Sequence, residues 1–402
     1  MVGGVPIVLI LYYFLGHLDY DYSYYLAATL YSSLFYLFYF LTLLSFPRIA
    51  NFSLSHNLPK SFLTAVEVTL ITVGLGSLLV FFLANGFLFL KNNDYDDLFS
   101  TNISMSWMRN FFYFFFPGLI MWFLRRPSKN RLLKFLLMSL IYGAVVFFVV
   151  GGSRASIALA VAYSIILGIQ FKYVKPKILF WVTPFLFLTM SWLAIIRYSY
   201  QPEGIQLAIN MFSLLKGTLS PLDNVAAIIE WHILNEDKMQ NLMPIVRDFY
   251  RYIPKWMWLE KTDIIMNSGN YLTFEVLKKN EGLTFSPTIV GSSVIMFGFP
   301  GLLIFSCSIA FMIKILDVIY DSSVKSIIPS TGLTHPLKII FGTYCISIMF
   351  YFISMIRDGI DTFFSRMVFF SFNYLLILIA SIFFSFLFEN LSPRNYPKSL
   401  GD

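Results

Sequence analysis

Long apolar runs, broken by short polar turns, dominate the chain. Stretches such as Ser61 to Phe82, Met105 to Leu124 and Leu132 to Val150 carry very little charge, and about twenty such residues are what a helix needs to cross a bilayer. The pattern predicts about ten crossings, at residues 2–16, 22–46, 62–84, 105–124, 132–150, 156–171, 177–195, 288–316, 337–356 and 367–388. One polar stretch, 197–287, is far longer than the other connections. The fold expected is therefore an all-α polytopic membrane protein, a single membrane domain over 1–402 with one large helical loop at 197–287. A loop of that length in a compact protein is expected to be structured and functional.

Charge gives the chain an orientation. Arg48 and Lys60, then Arg125, Arg126, Lys129 and Arg131, then Lys172, Lys175 and Lys177 occupy short loops on one common side, which the positive-inside rule makes cytoplasmic. The tail with Arg394 and Lys398 falls on the same side, and the loop 197–287 falls outside. That leaves Arg154, Arg197, Arg247, Arg251, Arg357 and Arg366 on the outer side, where topology gives no reason for them. Arginines there point to an anionic substrate outside the cytoplasm.

Composition agrees with a membrane class and narrows the chemistry. Hydrophobic residues make up 57% of the 402 and charged residues 13%, far from a soluble domain. Topogenic lysines and arginines account for about half of the positive residues behind the net charge of +7, so no nucleic-acid partner is expected. Met1-Val2-Gly3-Gly4 lacks the basic start of a cleavable signal peptide. Cys307 and Cys345 both lie in apolar runs and read as free thiols, while His17, His56, His232 and His335 share no ligand spacing. Asp94-Tyr95-Asp96-Asp97 resembles an acidic ion-binding pair, although a solvated turn explains it as well. Phosphate-binding Gly-Lys loops, zinc-protease and serine-hydrolase signatures are missing. No metal or cofactor is expected.

Within the large loop, Ile205, Ala208, Ile209, Phe212 and Leu215, then Val225, Ile228 and Ile229, recur near a helical period, with a break and cap at Pro221 and Asp223. Further on, Phe249, Tyr250, Tyr252, Trp256, Met257 and Trp258 alternate with Arg247, Arg251 and Lys255, which fits either an interfacial aromatic belt or an anion site. Arg247 and Arg251 share one helical face and repel, so an external anion would relieve them. Gly151-Gly152-Ser153-Arg154-Ala155 sets a guanidinium beside two glycines at the rim of a span, a functional-site signal by default; its structural reading is an ion pair with an acid such as Asp361. Arg357 and Asp361 also have the four-residue spacing of a helical pair.

Several long runs carry a family resemblance. Pro244 to Tyr250, Asn267 to Leu277, Ser286 to Ser292, Gly151 to Ala155, Arg109 to Phe114 and Arg357 to Arg366 are similar to the enterobacterial common antigen polymerases. The resemblance implies a Wzy-type glycosyltransferase of the bacterial inner membrane, working on the periplasmic side. It would transfer a growing glycan from undecaprenyl pyrophosphate to an incoming lipid-linked trisaccharide of N-acetylglucosamine, N-acetylmannosaminuronic acid and 4-acetamidofucose. It also implies membrane lipid and a Wzz-type chain-length co-polymerase as partners. The family carries a further apolar segment ahead of the point matching Met1, and no acidic run at Asp94 to Asp97, which favours a metal-independent mechanism. If donor and product bonds are both α, a front-face or two-step route is required.

On this reading Arg154, Arg197 and Arg247 are catalytic cations, and Asp248, Glu275 and Asp361 are the acids available to activate the acceptor. Arg251, Arg357, Arg366, Tyr250, Asn270 and Tyr271 are the substrate-binding candidates. Each acid also has a structural reading as an arginine's partner, and it fits Asp361 best. A lipid-linked oligosaccharide flippase is the alternative, although inverted repeats and midplane charges would suit it better. A structural scaffold would have no use for so many outward arginines.

Overall fold

The computed structural model describes residues 20–47, 60–90, 105–197, 222–235, 239–253, 257, 267–279, 285–327 and 335–391. Among them every regular element is helical. We number the helices α1 (Tyr22–Ser45), α2 (Lys60–Asn85), α3 (Phe115–Leu124), α4 (Lys129–Val149), α5 (Ala155–Gln170) and α6 (Ile178–Arg197). The large loop contributes α7 (Leu222–Leu234), α8 (Met243–Phe249) and α9 (Ser268–Tyr271). The chain closes with α10 (Thr288–Ser322), α11 (Pro336–Asp358) and α12 (Ile360–Leu391).

Six of these segments are long and apolar enough to cross a membrane: α1, Ser61–Leu90, α4, α10, α11 and Ile360–Ser385. Their surfaces say the same. On α4, Leu133, Leu137, Ile141, Val145 and Phe148 form an exposed stripe, while Leu132, Phe135, Tyr142 and Val146 face inward. A helix apolar on both faces has hydrocarbon as its solvent, so the chain is a multi-pass membrane protein.

Six of the ten crossings expected from sequence are these long apolar spans among the described residues. Residues 2–16 lie outside the described residues, as do Arg48, Asp94 to Asp97, Ile205 to Pro221, Lys255, Trp256, Trp258, Arg394 and Lys398. The apolar run 105–124 is two 3-10 turns, Ser106–Asn110 and Phe112–Phe114, followed by the ten-residue α3, which rises only about 15 Å. Residues 156–171 form the sixteen-residue α5, whereas 177–195 form the twenty-residue α6, long enough for a crossing, with Pro184 inside it.

Short α3 is held by close approach. A Cβ on Gly74 would come within 2.5 Å of Phe115 N, and one on Gly118 within 2.6 Å of Ile71 Cγ1, the small-residue contact that brings membrane helices together. The Tyr142 hydroxyl seals the crossing through Gly74 O at 3.2 Å and Phe112 O at 2.8 Å. Around it lies one apolar core, built on α2 to α5. A second core gathers α1, α7, α9 and α10, and α11 and α12 contribute to both.

The helices alternate in direction, so the bundle has two distinguishable ends. At one, Arg125 Nη1 pairs with Glu67 Oε2 at 2.7 Å, Ser128 caps α4, and Arg131 Nη1 donates to Trp122 O at 3.1 Å. The short turns of this end carry the lysines and arginines that sequence assigns to the cytoplasm. At the other, the described parts of the large loop fold down as helices. The Tyr25 hydroxyl donates to Asp223 Oδ1 at 2.8 Å and Asn224 Nδ2 to Ser286 O at 2.8 Å. Val225, Ile228 and Ile229 are buried in α7, as their spacing predicts.

α10 is two helices joined at a break. Gly298 sits at φ 60°, ψ −147°, and Pro300 follows; proline cannot donate to the carbonyl four residues back. The carbonyls of Ile295 and Met296 instead accept from Gln240 N at 3.0 Å and Asn241 N at 2.8 Å. A broken backbone within an apolar bundle needs such partners, and the segment after α7 supplies them. Residues 288–296 ahead of the break are buried, whereas Phe299, Leu303 and Ile304 after it are exposed.

Candidate functional site

Three chain breaks converge at the loop-bearing end: the turn after α8, the start of α9, and the corner between α11 and α12. Gly359 makes that corner at φ +97°, where a Cβ would lie 3.1 Å from Asp361 Oδ1, Pro287 Cγ and Ser292 Cβ. Only glycine fits both the dihedral and the space. The first N–H groups of α12 need partners outside the helix, and Ile360 N finds Ser292 Oγ at 3.0 Å.

Two fully buried carboxylates fill this corner. Asp248 of α8 accepts from Asn267 Nδ2 at 2.7 Å and from the Ser365 hydroxyl of α12. Asn267 also caps α9, its Oδ1 receiving Asn270 N at 2.9 Å. Asp361 Oδ2 accepts Ser268 N at 2.6 Å, while its Oδ1 and the nearby Ser268 Oγ are buried without a hydrogen-bond partner. The pair thus locks α8 and α9 on to α12. The Ser268 side chain and Thr362 N–H also face this carboxylate, and among the described residues Asp361 Oδ1 has no hydrogen bond of its own.

The cations divide. Arg366 Nη1 pairs with Asp358 Oδ2 at 2.8 Å, the structural partnership available to it in the sequence. The spacing argument for Arg357 and Asp361 is overturned: Gly359 breaks the helix between them, Asp361 turns to Ser268, and Arg357 is exposed. Among the described residues, neither Arg357 nor half-buried Arg247 has an ion-pair partner. Arg154 precedes α5, half-buried, after Gly151 at φ 77° and Gly152 at φ 93°. It lies at the same end, because α4 starts beside Arg125 at the other. Arg197 is the last residue of α6, and Arg251 lies in the 3-10 turn Tyr250–Tyr252.

The other sequence candidates sit on α9 and on the turns after α8 and α9. Tyr250 is half-buried in that 3-10 turn, and Asn270 is half-buried in α9. Tyr271 is buried, its hydroxyl accepting Trp231 Nε1 at 3.2 Å, which ties α9 to α7. Glu275 sits in the π-turn Leu272–Val276, paired at 3.4 Å with Lys278. Among the described residues no group of three His, Cys, Asp or Glu is placed to hold a metal ion. Sequence reasoning did not single out Ser292 or Ser365; a serine in an apolar run is ordinarily back-bonded to its own helix. Asn267 had a signal, an Asn three residues before the N–H it caps.

A family model described as WzyE protein, O-antigen assembly polymerase, matches residues 2–393. No solved structure matches the chain.

Proposed function

The chain belongs to the WzyE family of O-antigen assembly polymerases, and from that premise we propose that it polymerises undecaprenyl-pyrophosphate-linked repeat units of enterobacterial common antigen at the periplasmic face of the bacterial inner membrane. The observation that carries this reading is the contrast between cations and carboxylates at the loop-bearing end. Asp248 and Asp361 are buried among polar partners, while Arg247 and Arg357 have no ion-pair partner among the described residues. A polyanionic glycan on a pyrophosphate carrier would supply the missing charge.

In the proposed reaction, an acceptor hydroxyl forms a bond to carbon 1 of the growing chain's proximal sugar. The bond from that carbon to pyrophosphate breaks, its electron pair leaving with the phosphate oxygen. Charge therefore builds on the departing pyrophosphate, and Arg154, Arg197, Arg247 and Arg251 are assigned to it and to the uronic carboxylates. Guanidinium forks bind such oxygens bidentately, and preorganised cations in a partly dry site contribute several kcal/mol. Asp361, whose Oδ1 has no hydrogen bond of its own among the described residues, is assigned the acceptor's proton. Asp248 positions Arg247 by anchoring α8, and Arg357 lies at the edge of the site. A Wzz-type co-polymerase would set chain length. Purified protein given the lipid-linked trisaccharide should produce a ladder of longer lipid-linked glycans; movement of the lipid across vesicles without elongation would overturn the assignment.

A further inference from the structure

The seam between the two apolar cores holds a group of side chains that the reaction above does not use. Arg366, Phe369 and Phe370 follow one another at three- and four-residue spacing on one face of α12. Tyr252, in the turn after α8, stacks on Phe369 with centroids 4.2 Å apart and planes 11° apart. Phe111 meets the same ring edge-on at 5.3 Å, and Phe114 stacks on Phe370 at 5.1 Å. Tyr113 lies between Phe111 and Phe114 in sequence, and Tyr351 of α11 contacts Phe370 at 5.7 Å. Tyr113, Tyr252 and Asp248 are electrostatic neighbours of Arg366.

The hydroxyls of this seam differ from those deeper in the bundle. Tyr142, Tyr163 and Tyr374 donate to backbone carbonyls, and Tyr344 bonds Ser371. Tyr113 and Tyr351 have no such partner among the described residues, yet their oxygens are not among the buried unpartnered atoms. Both residues are partly buried, packed against the first core without being closed off. Arg366 engages Asp358 through Nη1, which leaves further N–H donors of its fork uncommitted. The lining is thus aromatic rings, two phenol hydroxyls and a charge-balanced Arg–Asp pair.

Those features do not suit a free oxyanion, whose charge Asp358 and Asp248 would oppose. They suit an uncharged sugar ring, which offers an apolar face to aromatics and hydroxyls that both donate and accept. We infer that Tyr113, Tyr252, Tyr351 and the Arg366–Asp358 pair form a saccharide subsite that holds one uncharged sugar ring of the repeat unit. This rests on the proposed polymerase reading and places specificity at the seam, apart from the arginines assigned to the pyrophosphates.

The test uses the full-length protein in detergent with Tyr113→Phe, Tyr351→Phe and the double variant, against Tyr142→Phe. Removing a hydroxyl that has no protein partner leaves thermal stability unchanged, whereas Tyr142→Phe, which frees two carbonyls, lowers it. The subsite requires the double variant to raise KM for the lipid-linked unit about tenfold at unchanged kcat, the equivalent of about 1.4 kcal/mol. It also requires the variant to weaken binding of the soluble trisaccharide without weakening binding of undecaprenyl pyrophosphate. Wild-type KM and wild-type trisaccharide binding in a stable double variant overturn the subsite while leaving polymerisation intact. Loss of undecaprenyl pyrophosphate binding instead marks the seam as an anion site and also overturns it. If the wild-type protein makes no polymer, the polymerase reading falls, and trisaccharide binding by wild type against the double variant still decides the subsite.

Discussion

Each end of the bundle contains an arginine paired with a carboxylate, and the two bonds are almost identical: Arg125 to Glu67 at 2.7 Å and Arg366 to Asp358 at 2.8 Å. Their surroundings are not. Arg125 follows a helix that packs closely on the one carrying Glu67, with cap residues and short turns on either side. Arg366 stands where α8, α9, α11 and α12 all start or stop, beside two buried carboxylates and partly buried tyrosines. At the first end nearby side chains, Ser128 and Arg131, satisfy the helix termini, and the charge fixes docking. At the second, backbone and carboxylates depend on side chains from distant parts of the chain, an arrangement tolerated in a membrane protein where it lines a site. An ion pair alone therefore does not tell the two ends apart; the broken backbone around it does.

The most severe test of that contrast is charge removal at each end. Arg154→Ala or Arg247→Ala, at normal protein levels in membranes, is expected to abolish polymer while single lipid-linked repeats accumulate, a loss of at least a hundredfold or so in transfer. Lys129→Ala or Lys175→Ala should leave the glycan ladder unchanged. Polymer of normal length from either arginine variant removes that residue from the site.

Next in size is Asp248. Replacing it with alanine leaves Asn267 and Ser365 without their acceptor in a buried corner and is expected to cost about 1–3 kcal/mol of stability, read as a lower melting temperature and reduced polymer together. Asp248→Asn keeps one carbonyl oxygen for these donors and should recover much of the melting temperature. If the asparagine variant is stable and still inactive, the carboxylate has a direct role in chemistry beyond anchoring α8.

Most of the membrane architecture is legible in the sequence because lipid imposes a simple rule of length and apolarity, and six of the expected runs are full-length helices. The run 105–124 fails for a local reason. Its first half is folded into 3-10 turns that put Phe111 and Phe114 against α12, and hydropathy is blind to such a fold. The corner is legible only in its parts. Arg247, Asp248 and Asp361 can be read as polar residues out of place, and Asn267 as a cap. The bond that joins Asp248 to Ser365 spans 117 positions, and nothing periodic announces it. Arg357 and Asp361 show the opposite error, a correct spacing made irrelevant by one glycine.

Arg125→Ala sharpens the comparison from the docking side. Glu67 is mostly buried and loses its partner, so a drop of about 1–3 kcal/mol is expected, less whatever water at the exposed side of the pair restores. Polymer per folded molecule should not change. If specific activity falls as far as in Arg247→Ala, the two ends are coupled and the division drawn between them is wrong.

The smallest effect belongs to Lys278. Its ammonium bonds Glu275 at 3.4 Å and lies 5.0 Å over the Trp231 ring, with 63% of the side chain exposed and 42% of its partner's. Exposed pairs of this kind contribute about 0.2–1 kcal/mol, and salt screens them. Lys278→Ala should therefore shift the melting temperature by at most a degree or so, and less in high salt, with the glycan ladder intact. Glu275 keeps its carboxylate in that variant but loses its nearest cation, so the result bears on which acid serves the acceptor. An unchanged ladder agrees with Asp361, whose Oδ1 lies inside the buried corner. A lost ladder in a stable protein would move the acid chemistry to the turn after α9, and with it the boundary between the part of this end that holds the fold and the part that acts on substrate.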